Sequence, residues 1–179
     1  MLRIETNRLI LRDFEPDDSH DYIKLRADDK FKRFYRDSDA TEERSVSLIE
    51  KFILASKSNP RAMFQLAITT KDNILIGSCG IRMEYDRQAS IGCELARKWQ
   101  KSGYAYEAVR ELINYGFTSL ELHRLYAETI SENLAAIKLC KLLGLRIEAE
   151  LIENKYFQGR WWNTSIMALL NREWVYDVE

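Results

Sequence analysis

The feature that most constrains the fold of this chain is the segment at residues 100–105, Gln-Lys-Ser-Gly-Tyr-Ala, because it joins two stretches of different periodicity. Residues 91–95 before it form a short, mostly apolar run, which is typical of a buried strand. From residue 105 to residue 117, apolar residues recur three and four positions apart, which predicts a helix with one buried face. Ser102 stands at the predicted N-cap. The sequence therefore predicts a strand, a tight loop and a core helix in that order.

The start of that helix is predicted to bind an anion. The first N–H groups of a helix have no partner within it and carry a partial positive charge. Gly103 has no side chain to block them, and Arg97, Lys98 and Lys101 add positive charge nearby. The segment has neither the Gly-Lys-Ser/Thr ending of a nucleoside-triphosphate loop nor the glycines of a dinucleotide fingerprint. The hypothesis is a phosphate loop of another kind, and the alternative is an ordinary helix start with solvated lysines.

A family resemblance rests on this segment and its surroundings. Residues 100–105 match the Gln/Arg-x-x-Gly-x-Gly/Ala signature of the GCN5-related N-acetyltransferases (GNAT), which depend on acetyl-CoA. Residues 133–145 resemble the family's Asn-x-x-Ala/Ser … Gly-Phe segment. Residues 5–12 and 159–174 resemble the opening strand and the closing hairpin of the RimJ/RimL-like branch, the protein N-terminal acetyltransferases. The resemblance covers nearly the whole chain in order.

The resemblance implies a single domain over residues 1–179 with an α/β (α+β) fold. Helices are expected to flank a mixed, mostly antiparallel twisted sheet with a V-shaped cofactor cleft. Two prolines and seven glycines give no sign of a linker. Predicted strands cover about residues 9–11, 63–68, 74–83, 91–95, 124–130, 147–157 and 162–170. Predicted helices cover about residues 16–27, 31–35, 41–57, 103–117 and 134–143.

The cofactor implied by the resemblance is acetyl-CoA, and its binding residues follow by position in the family's motifs. The pantetheine arm is expected to lie beside a strand like an added strand. The residues assigned to cofactor binding are Cys93 and Leu95, through their backbone, for the pantetheine; Gln100 in the signature; Lys101, Ser102, Gly103, Tyr104 and Ala105, through their amides, for the diphosphate; and Asn133 for the pantetheine or another part of the cofactor.

Glu94 and Cys140 are the candidates for catalysis. Glu94 is a carboxylate inside an apolar strand, where desolvation raises a carboxyl pKa towards that of a useful general base. The alternative is a structural ion pair with Arg97 or Lys98. Cys140 takes the position at which many relatives have a tyrosine that protonates the leaving thiolate. The alternatives there are a core role for Cys140, another donor such as Tyr104, or departure of the thiolate without help.

Composition excludes several classes of protein. A net charge of −1 gives no basic surface for nucleic acid. No apolar run approaches the roughly 20 residues of a membrane span, and the first residues lack the apolar core of a signal peptide. Cys79, Cys93 and Cys140 are scattered and odd in number, which favours reduced thiols over a disulfide or a metal site. We therefore expect a cytoplasmic protein without a bound metal.

The partner is expected to be an amine acceptor, and the leading hypothesis is the N-terminal α-amine of a peptide or protein. One alternative is a small-molecule amine such as a polyamine or an antibiotic, because residues 115–163 also resemble spermidine acetyltransferases. The alternative of another class is a non-catalytic acyl-CoA-binding sensor. It stays open because Ala136 stands where part of the branch has a serine, and Cys140 where many relatives have a tyrosine.

The region before residue 44 gives weaker expectations about the acceptor. Its many acidic residues predict either a negative cleft that attracts a cation or a solvated helix face. The aromatic residues at positions 31, 34 and 35 are expected either to line an acceptor pocket or to pack inward. A homodimer is a further expectation.

Overall fold

The computed structural model describes residues 1–176, apart from the side chain of Lys30, and its centre is a sheet of eight strands. The strands are β1 (Arg3–Glu5), β2 (Leu9–Asp13), β3 (Met63–Thr70), β4 (Leu75–Met83), β5 (Gln88–Leu95), β6 (Arg124–Ile130), β7 (Arg146–Phe157) and β8 (Arg160–Leu170). The helices are α1 (Ser19–Arg26), α2 (Asp29–Lys32), α3 (Glu42–Ser56), α4 (Tyr104–Thr118) and α5 (Leu134–Leu142). Short 3₁₀ turns lie at Pro16–Asp18, Asp37–Asp39, Arg97–Trp99 and Asn171–Glu173.

The strands lie in the order β1-β2-β3-β4-β5-β6-β8-β7. Neighbouring strands are antiparallel throughout, except that β5 and β6 run parallel. The prediction of a single-domain α/β fold with a mixed, mostly antiparallel sheet is therefore confirmed. The predicted boundaries of 1–179 include residues 177–179, which lie outside the described residues.

Helices cover both faces of the sheet. Successive side chains of a strand point to opposite faces, so each face has apolar side chains against which a helix packs. On one face, the buried side chains of α4 pack against Leu66 and Ile68 of β3 and Ile76 of β4. On the other face, Ala67 of β3 joins a second cluster built from α1 and α3, with Phe52 among its members. Each face of the sheet thus has its own core, and the sandwich predicted from the sequence is confirmed.

Two elements differ from the predicted ones. Strand β1 was not predicted, since its three residues are too short to show an alternating pattern, yet Ile4 pairs with Leu11 of β2. Helix α2 covers Asp29–Lys32, earlier than the predicted helical piece at 31–35. Neither difference changes the order of the elements that carry the predicted site.

The helix ends show one correction. Thr41 caps α3, and its side chain accepts a hydrogen bond of 3.1 Å from the Arg44 amide. At α4, however, the N-cap is Gly103 and not Ser102, so that prediction is wrong. The chain enters α4 through a left-handed residue with φ of 81°, a conformation that glycine adopts without steric cost.

The sheet opens between β5 and β6. The two strands pair at only three positions, from Gln88 with Arg124 to Ser90 with Tyr126. Beyond these positions β5 stays paired with β4, and β6 stays paired with β8, so each strand keeps one partner. The strands therefore diverge towards their carboxyl ends, which is the V-shaped cleft expected of the fold.

Among residues 1–176, the structure contains no helix that is both long enough and apolar enough to cross a lipid bilayer.

Candidate active site

The N-terminus of α4 lies at the open end of the cleft and presents free backbone donors. The first intrahelical bond runs from the Glu107 amide to the Gly103 carbonyl at 3.0 Å. No side chain caps this end of the helix. The amides of Gly103, Tyr104 and Ala105 therefore have no partner within the helix, as the general geometry of a helix start requires. Lys101, Ser102 and Gly103 are exposed to solvent. This arrangement fits the diphosphate of a nucleotide cofactor.

Sequence reasoning did not assign Arg8 to this loop, yet its side chain contacts it. Its Nη1 donates to the Ser102 carbonyl at 3.0 Å, and its guanidinium lies 4.3 Å from the centre of the Tyr104 ring. Glu107 holds Arg8 in place through an ion pair of 2.6 Å. Burial alone would raise the pKa of Glu107, but hydrogen bonds from Thr6 and Arg8 outweigh it and lower that pKa. The charge of Arg8 is thus balanced by Glu107, and its guanidinium ties the loop to the start of β2.

The three basic residues that the sequence placed at the loop are all exposed. Arg97 and Lys98 lie in the 3₁₀ turn before it, and Lys101 lies within it with φ of 65°. Among the described residues, none of the three forms an ion pair with a carboxylate. Their charges are therefore free to attract phosphate groups from solvent.

The backbone of Cys93 and Leu95 points into the cleft. In an antiparallel pair, alternate residues bond to the partner strand. The Ala96 amide donates to the Ile76 carbonyl and the Glu84 amide donates to the Gln88 carbonyl, each at 2.8 Å, so the even-numbered residues of β5 bond to β4. The odd-numbered residues therefore direct their N–H and C=O groups towards β6, where the sheet is open.

Gln100 and Asn133 each form a hydrogen bond within the protein. Gln100 donates from Nε2 to the Leu95 carbonyl at 3.0 Å, which ties the loop to the end of β5 and occupies one of the acceptors predicted for the pantetheine. Asn133 is the N-cap of α5, and its Oδ1 accepts from the Ala136 amide at 3.3 Å. Its Nδ2 remains as a donor on the β6 side of the cleft.

Glu94 does not pair as the sequence predicted. Its Oε2 accepts from Arg26 Nη1 of α1 at 3.0 Å, and its Oε1 accepts from the Ser78 hydroxyl at 2.8 Å. The predicted alternative, a pair with Arg97 or Lys98, is wrong. The reason is the alternation of β5, which directs Glu94 towards the face covered by α1 and α3, while those two basic residues lie in the turn beyond the strand.

Arg26 is buried and firmly held in place. Its Nη2 donates to the Asp39 carbonyl at 2.6 Å, and its guanidinium lies 4.9 Å from the centre of the Phe31 ring. Side-chain exposure is 6% for Arg26 and 12% for Glu94, so the pair is largely shielded from water. The Nε atom of Arg26 is buried without a hydrogen-bond partner among the described residues.

A cavity of about 310 Å³ adjoins this pair, with Glu94, Arg26 and Tyr22 in its wall. Burial raises the pKa of Tyr22 above that of an ordinary phenol, so its hydroxyl is neutral at pH 7. Of the acidic residues before position 44, only Asp39 lines this cavity. Asp18 is instead buried in an ion pair with Arg12 at 2.8 Å. Of the two alternatives for this acidic stretch, the negative cleft is therefore not what these residues form around the cavity.

Two of the aromatic residues that the sequence placed near the acceptor lie in different surroundings. Tyr35 lines the cavity and stacks on Phe31 with ring centres 4.6 Å apart. Phe34 packs edge-on against Trp162 at 6.0 Å. Tyr35 therefore belongs to the wall of the pocket and Phe34 to the core.

All three cysteines are free thiols, and Cys140 is half-buried against the main core cluster. Burial raises the pKa of Cys140 to about 11. Burial, together with the neighbouring Glu94, raises the pKa of Cys93 to about 12. Both thiols are therefore protonated at pH 7, and Cys140 is a weaker acid than an ordinary thiol. Within residues 1–176 no group of three or more His, Cys, Asp and Glu side chains is placed to hold a metal ion.

Comparison with known proteins decides the family. Residues 8–146 match the model of the acetyltransferase (GNAT) domain, which is most of the chain. The chain belongs to the GNAT acetyltransferases. It is an N-acetyltransferase, and in this family the acyl donor is acetyl-CoA. The acetyltransferase is 31% identical to an uncharacterized N-acetyltransferase, p20, of Bacillus licheniformis, over 97% of this chain and 99% of that one.

Solved structures share the fold of the acetyltransferase. A spermidine N-acetyltransferase from Vibrio cholerae, in complex with CoA and spermine, matches with a TM-score of 0.80 and 23% identity, over 94% of this chain and 98% of that one. A ribosomal-protein-S5-alanine acetyltransferase from Vibrio fischeri matches with a TM-score of 0.82 and 19% identity, over 98% and 100%. Relatives of both acceptor classes thus have this architecture.

Proposed function

We propose that this acetyltransferase moves the acetyl group of acetyl-CoA to the N-terminal α-amine of a peptide or protein by direct attack of the amine on the thioester. The observation that carries the proposal is the position of Glu94. Its carboxylate lies in the wall of a cavity on one face of β5, and the backbone of the same strand borders the cleft between β5 and β6. An amine in the cavity and a thioester in the cleft would meet across one strand.

The chain supplies partners for the diphosphate and the pantetheine of acetyl-CoA in this proposal. The amides of residues 101–105 bind the diphosphate, and Arg8 holds the loop in place through the Ser102 carbonyl. The backbone of Cys93 and the amide of Leu95 bind the pantetheine along the edge of β5. Asn133 binds it from the β6 side through its Nδ2. The bound donor brings an activated thioester, so the protein has to position the amine and manage its proton.

Proton removal favours an α-amine. With a pKa of about 7.7–8.0, an α-amine at pH 7 is roughly a tenth neutral, and deprotonation costs about 1 kcal/mol. A polyamine or lysine amine near pKa 10.4 costs about 4.6 kcal/mol. Glu94 accepts the proton in this proposal, directly or through water, while its other contacts to Arg26 and Ser78 keep the carboxylate oriented.

The leaving thiolate departs without a protein acid in this proposal. Cys140 holds the position of the family's usual donor, but a thiol whose pKa is about 11 does not readily protonate an ordinary thiolate. Cys140, a residue of α5, then acts by packing against the main core cluster. The thiolate of CoA takes its proton from solvent.

A small-molecule amine is the second candidate acceptor, because spermidine acetyltransferases are among the relatives that share this fold. A thiol-release assay with N-terminal peptides, polyamines and antibiotic amines separates the two. Release with peptides alone supports the proposal, and release with polyamines alone overturns it. Binding of acetyl-CoA without thiol release for any of the amines would point to a non-catalytic acyl-CoA sensor. We further propose a cytoplasmic homodimer, whose mass light scattering would measure.

A further inference from the structure

The charges that line the acceptor cavity are unusual for a site that binds a cation. Three arginines, Arg26, Arg44 and Arg82, face two carboxylates, Asp39 and Glu94. Arg26 already donates hydrogen bonds to the Glu94 carboxylate at 3.0 Å and to the Asp39 carbonyl at 2.6 Å. The charge of Glu94 is therefore balanced within the protein, and a cationic acceptor gains little from it.

Arg44 and Arg82 are the uncommitted charges of this cavity. Arg44 lies in the first turn of α3 and Arg82 near the end of β4, and both are exposed. Among residues 1–176, neither forms an ion pair with a carboxylate. Other arginines of the chain do form such pairs, as Arg12 does with Asp18 at 2.8 Å and Arg61 with Asp13 at 2.6 Å. Two guanidinium groups without partners thus line one cavity.

Asp39 places a carboxylate in the same cavity as the two arginines, and its side chain is half-buried. The cavity therefore offers the Asp39 carboxylate to an ammonium group and two arginines to an anion. Guanidinium groups bind carboxylates through two parallel hydrogen bonds, which makes the pairing both strong and directional. A polyamine, with several ammonium groups and no anion, would bring positive charges against Arg44 and Arg82.

The space beyond the cavity leaves room for more than one residue of acceptor. A second cavity of about 370 Å³ shares Gln65, Arg82 and Gly92 with the first and continues towards β6 and β7. Arg82 thus lies at the junction of the two, where the group next to a bound amine would pass. Lys155 in the second cavity is already paired with Glu128, at 2.5 Å.

We propose that the acceptor carries a carboxylate close to its reacting amine, and that Arg44 and Arg82 bind that carboxylate and so determine specificity. The inference rests on the proposed function, since it takes the Glu94 cavity as the acceptor site. The carboxylate comes either from an acidic side chain just after the N-terminal residue of a peptide or from the α-carboxylate of a short acceptor. Both sources present the same chemistry to the arginines.

The test compares acceptors that differ only in charge, with thiol release at saturating acetyl-CoA as the readout. Peptide amides Ser-Asp-Ala-Ala, Ser-Ala-Ala-Ala and Ser-Lys-Ala-Ala form one arm. The dipeptide Ser-Ala with a free carboxylate and its amide form the other, and spermidine serves as the cation. We expect kcat/KM for the Asp peptide to exceed that for the Lys peptide about tenfold or more, mainly through KM. A larger ratio in the dipeptide arm would identify the α-carboxylate as the source.

Substitutions assign the effect to the two arginines. Arg44→Gln and Arg82→Gln should each bring the kcat/KM values for acidic and neutral acceptors closer together. Arg82→Glu should make kcat/KM for the Lys peptide the larger one. Arg172→Gln is the matched control, since Arg172 is exposed and lines neither cavity, and it should keep the ratio. Retention of the acetyl-CoA-induced rise in melting temperature shows that each variant is folded.

The outcomes separate this inference from the function on which it rests. An active enzyme that uses spermidine or the Lys peptide as well as the Asp peptide overturns the inference and leaves amine acetylation standing. The inference is likewise overturned if both Gln variants keep the wild-type ratio of kcat/KM between acidic and neutral acceptors. Silence with every acceptor, while acetyl-CoA still binds, overturns the proposed function and this inference with it.

Discussion

At the residue scale, the Glu94–Arg26 pair is the centre of the proposed acceptor site. A buried ion pair loses the hydration of both partners, so removal of one partner leaves a charge that nothing balances. Arg26 is additionally packed against Phe31 and bonded to the Asp39 carbonyl, which keeps it from following a displaced carboxylate. The pair thus fixes where the carboxylate stands relative to the cavity.

Glu94→Gln should lower kcat by roughly a hundredfold and leave the Kd for acetyl-CoA nearly unchanged. The amide keeps a hydrogen bond to Arg26 or Ser78 but does not accept a proton. Steady-state kinetics and calorimetry measure the two quantities. Ser78→Ala is the control, because it removes one hydrogen bond of 2.8 Å to Glu94 and keeps the base. A kcat for Glu94→Gln that matches wild type from pH 6 to pH 9 would remove Glu94 from the mechanism.

Cys140 should make the protein less stable as the pH rises above the ordinary thiol range. Its folded pKa of about 11 is raised by burial, so its stabilising contribution is full below the unfolded thiol pKa, near 8.5, and is lost as the pH rises through 11. Between these values the unfolded chain gives up the proton and the folded one keeps it. Urea unfolding at pH 8 and pH 10.5 should therefore show a smaller loss of unfolding free energy in Cys140→Ser than in wild type. Equal losses would contradict the raised pKa.

At the scale of elements, the start of α4 combines a steric and an electrostatic requirement. Gly103 takes φ of 81°, and a Cβ built there would lie 3.3 Å from Arg8 Nη2. A side chain at this position would therefore press on the arginine that lies beside the exposed amides. Sequence reasoning found the glycine from its motif and placed the cap one residue too early, because a serine is the commoner N-cap.

Gly103→Glu should raise the Kd for acetyl-CoA by about a hundredfold or more, since a carboxylate would stand where phosphate is expected to bind. Isothermal calorimetry measures the change. Gly159→Glu is the matched control, because Gly159 also has a positive φ, 74°, but has nothing within 4 Å of a built Cβ and lies in the β7–β8 turn. Equal weakening by both variants would mean that backbone strain, and not the loop itself, is responsible.

At the scale of the whole molecule, acetyl-CoA should raise the melting temperature by about 5–10 °C at a hundred times its Kd. Binding to the folded state alone adds about 2.7 kcal/mol at that concentration. For a chain of this length, each kcal/mol is worth about 2–4 °C. Differential scanning fluorimetry with and without acetyl-CoA measures the shift. A melting temperature that stays constant up to millimolar acetyl-CoA would refute the assignment of the cleft.

The sequence predicted the features of the fold and the site whose residues lie close together along the chain, and it missed contacts between distant residues. The proposed phosphate loop, α4 and the strand before it are contiguous, so a local motif was enough to predict their order. Arg8 and Arg26 reach the site from elements 94 and 68 residues away from their partners Ser102 and Glu94, and no local spacing records such contacts. The acidic stretch before residue 44 left two alternatives open for the same reason, since charge along the chain does not show which side chains face a cavity.

The opening between β5 and β6 divides the hydrogen bonding of the sheet into two blocks, β1–β5 and β6–β8, which meet at three residue pairs. A donor molecule laid into that opening would take the place of a ninth strand and carry the ladder across the break. The molecule that the enzyme consumes would then also complete its architecture, and every turnover would begin and end with the sheet one strand short.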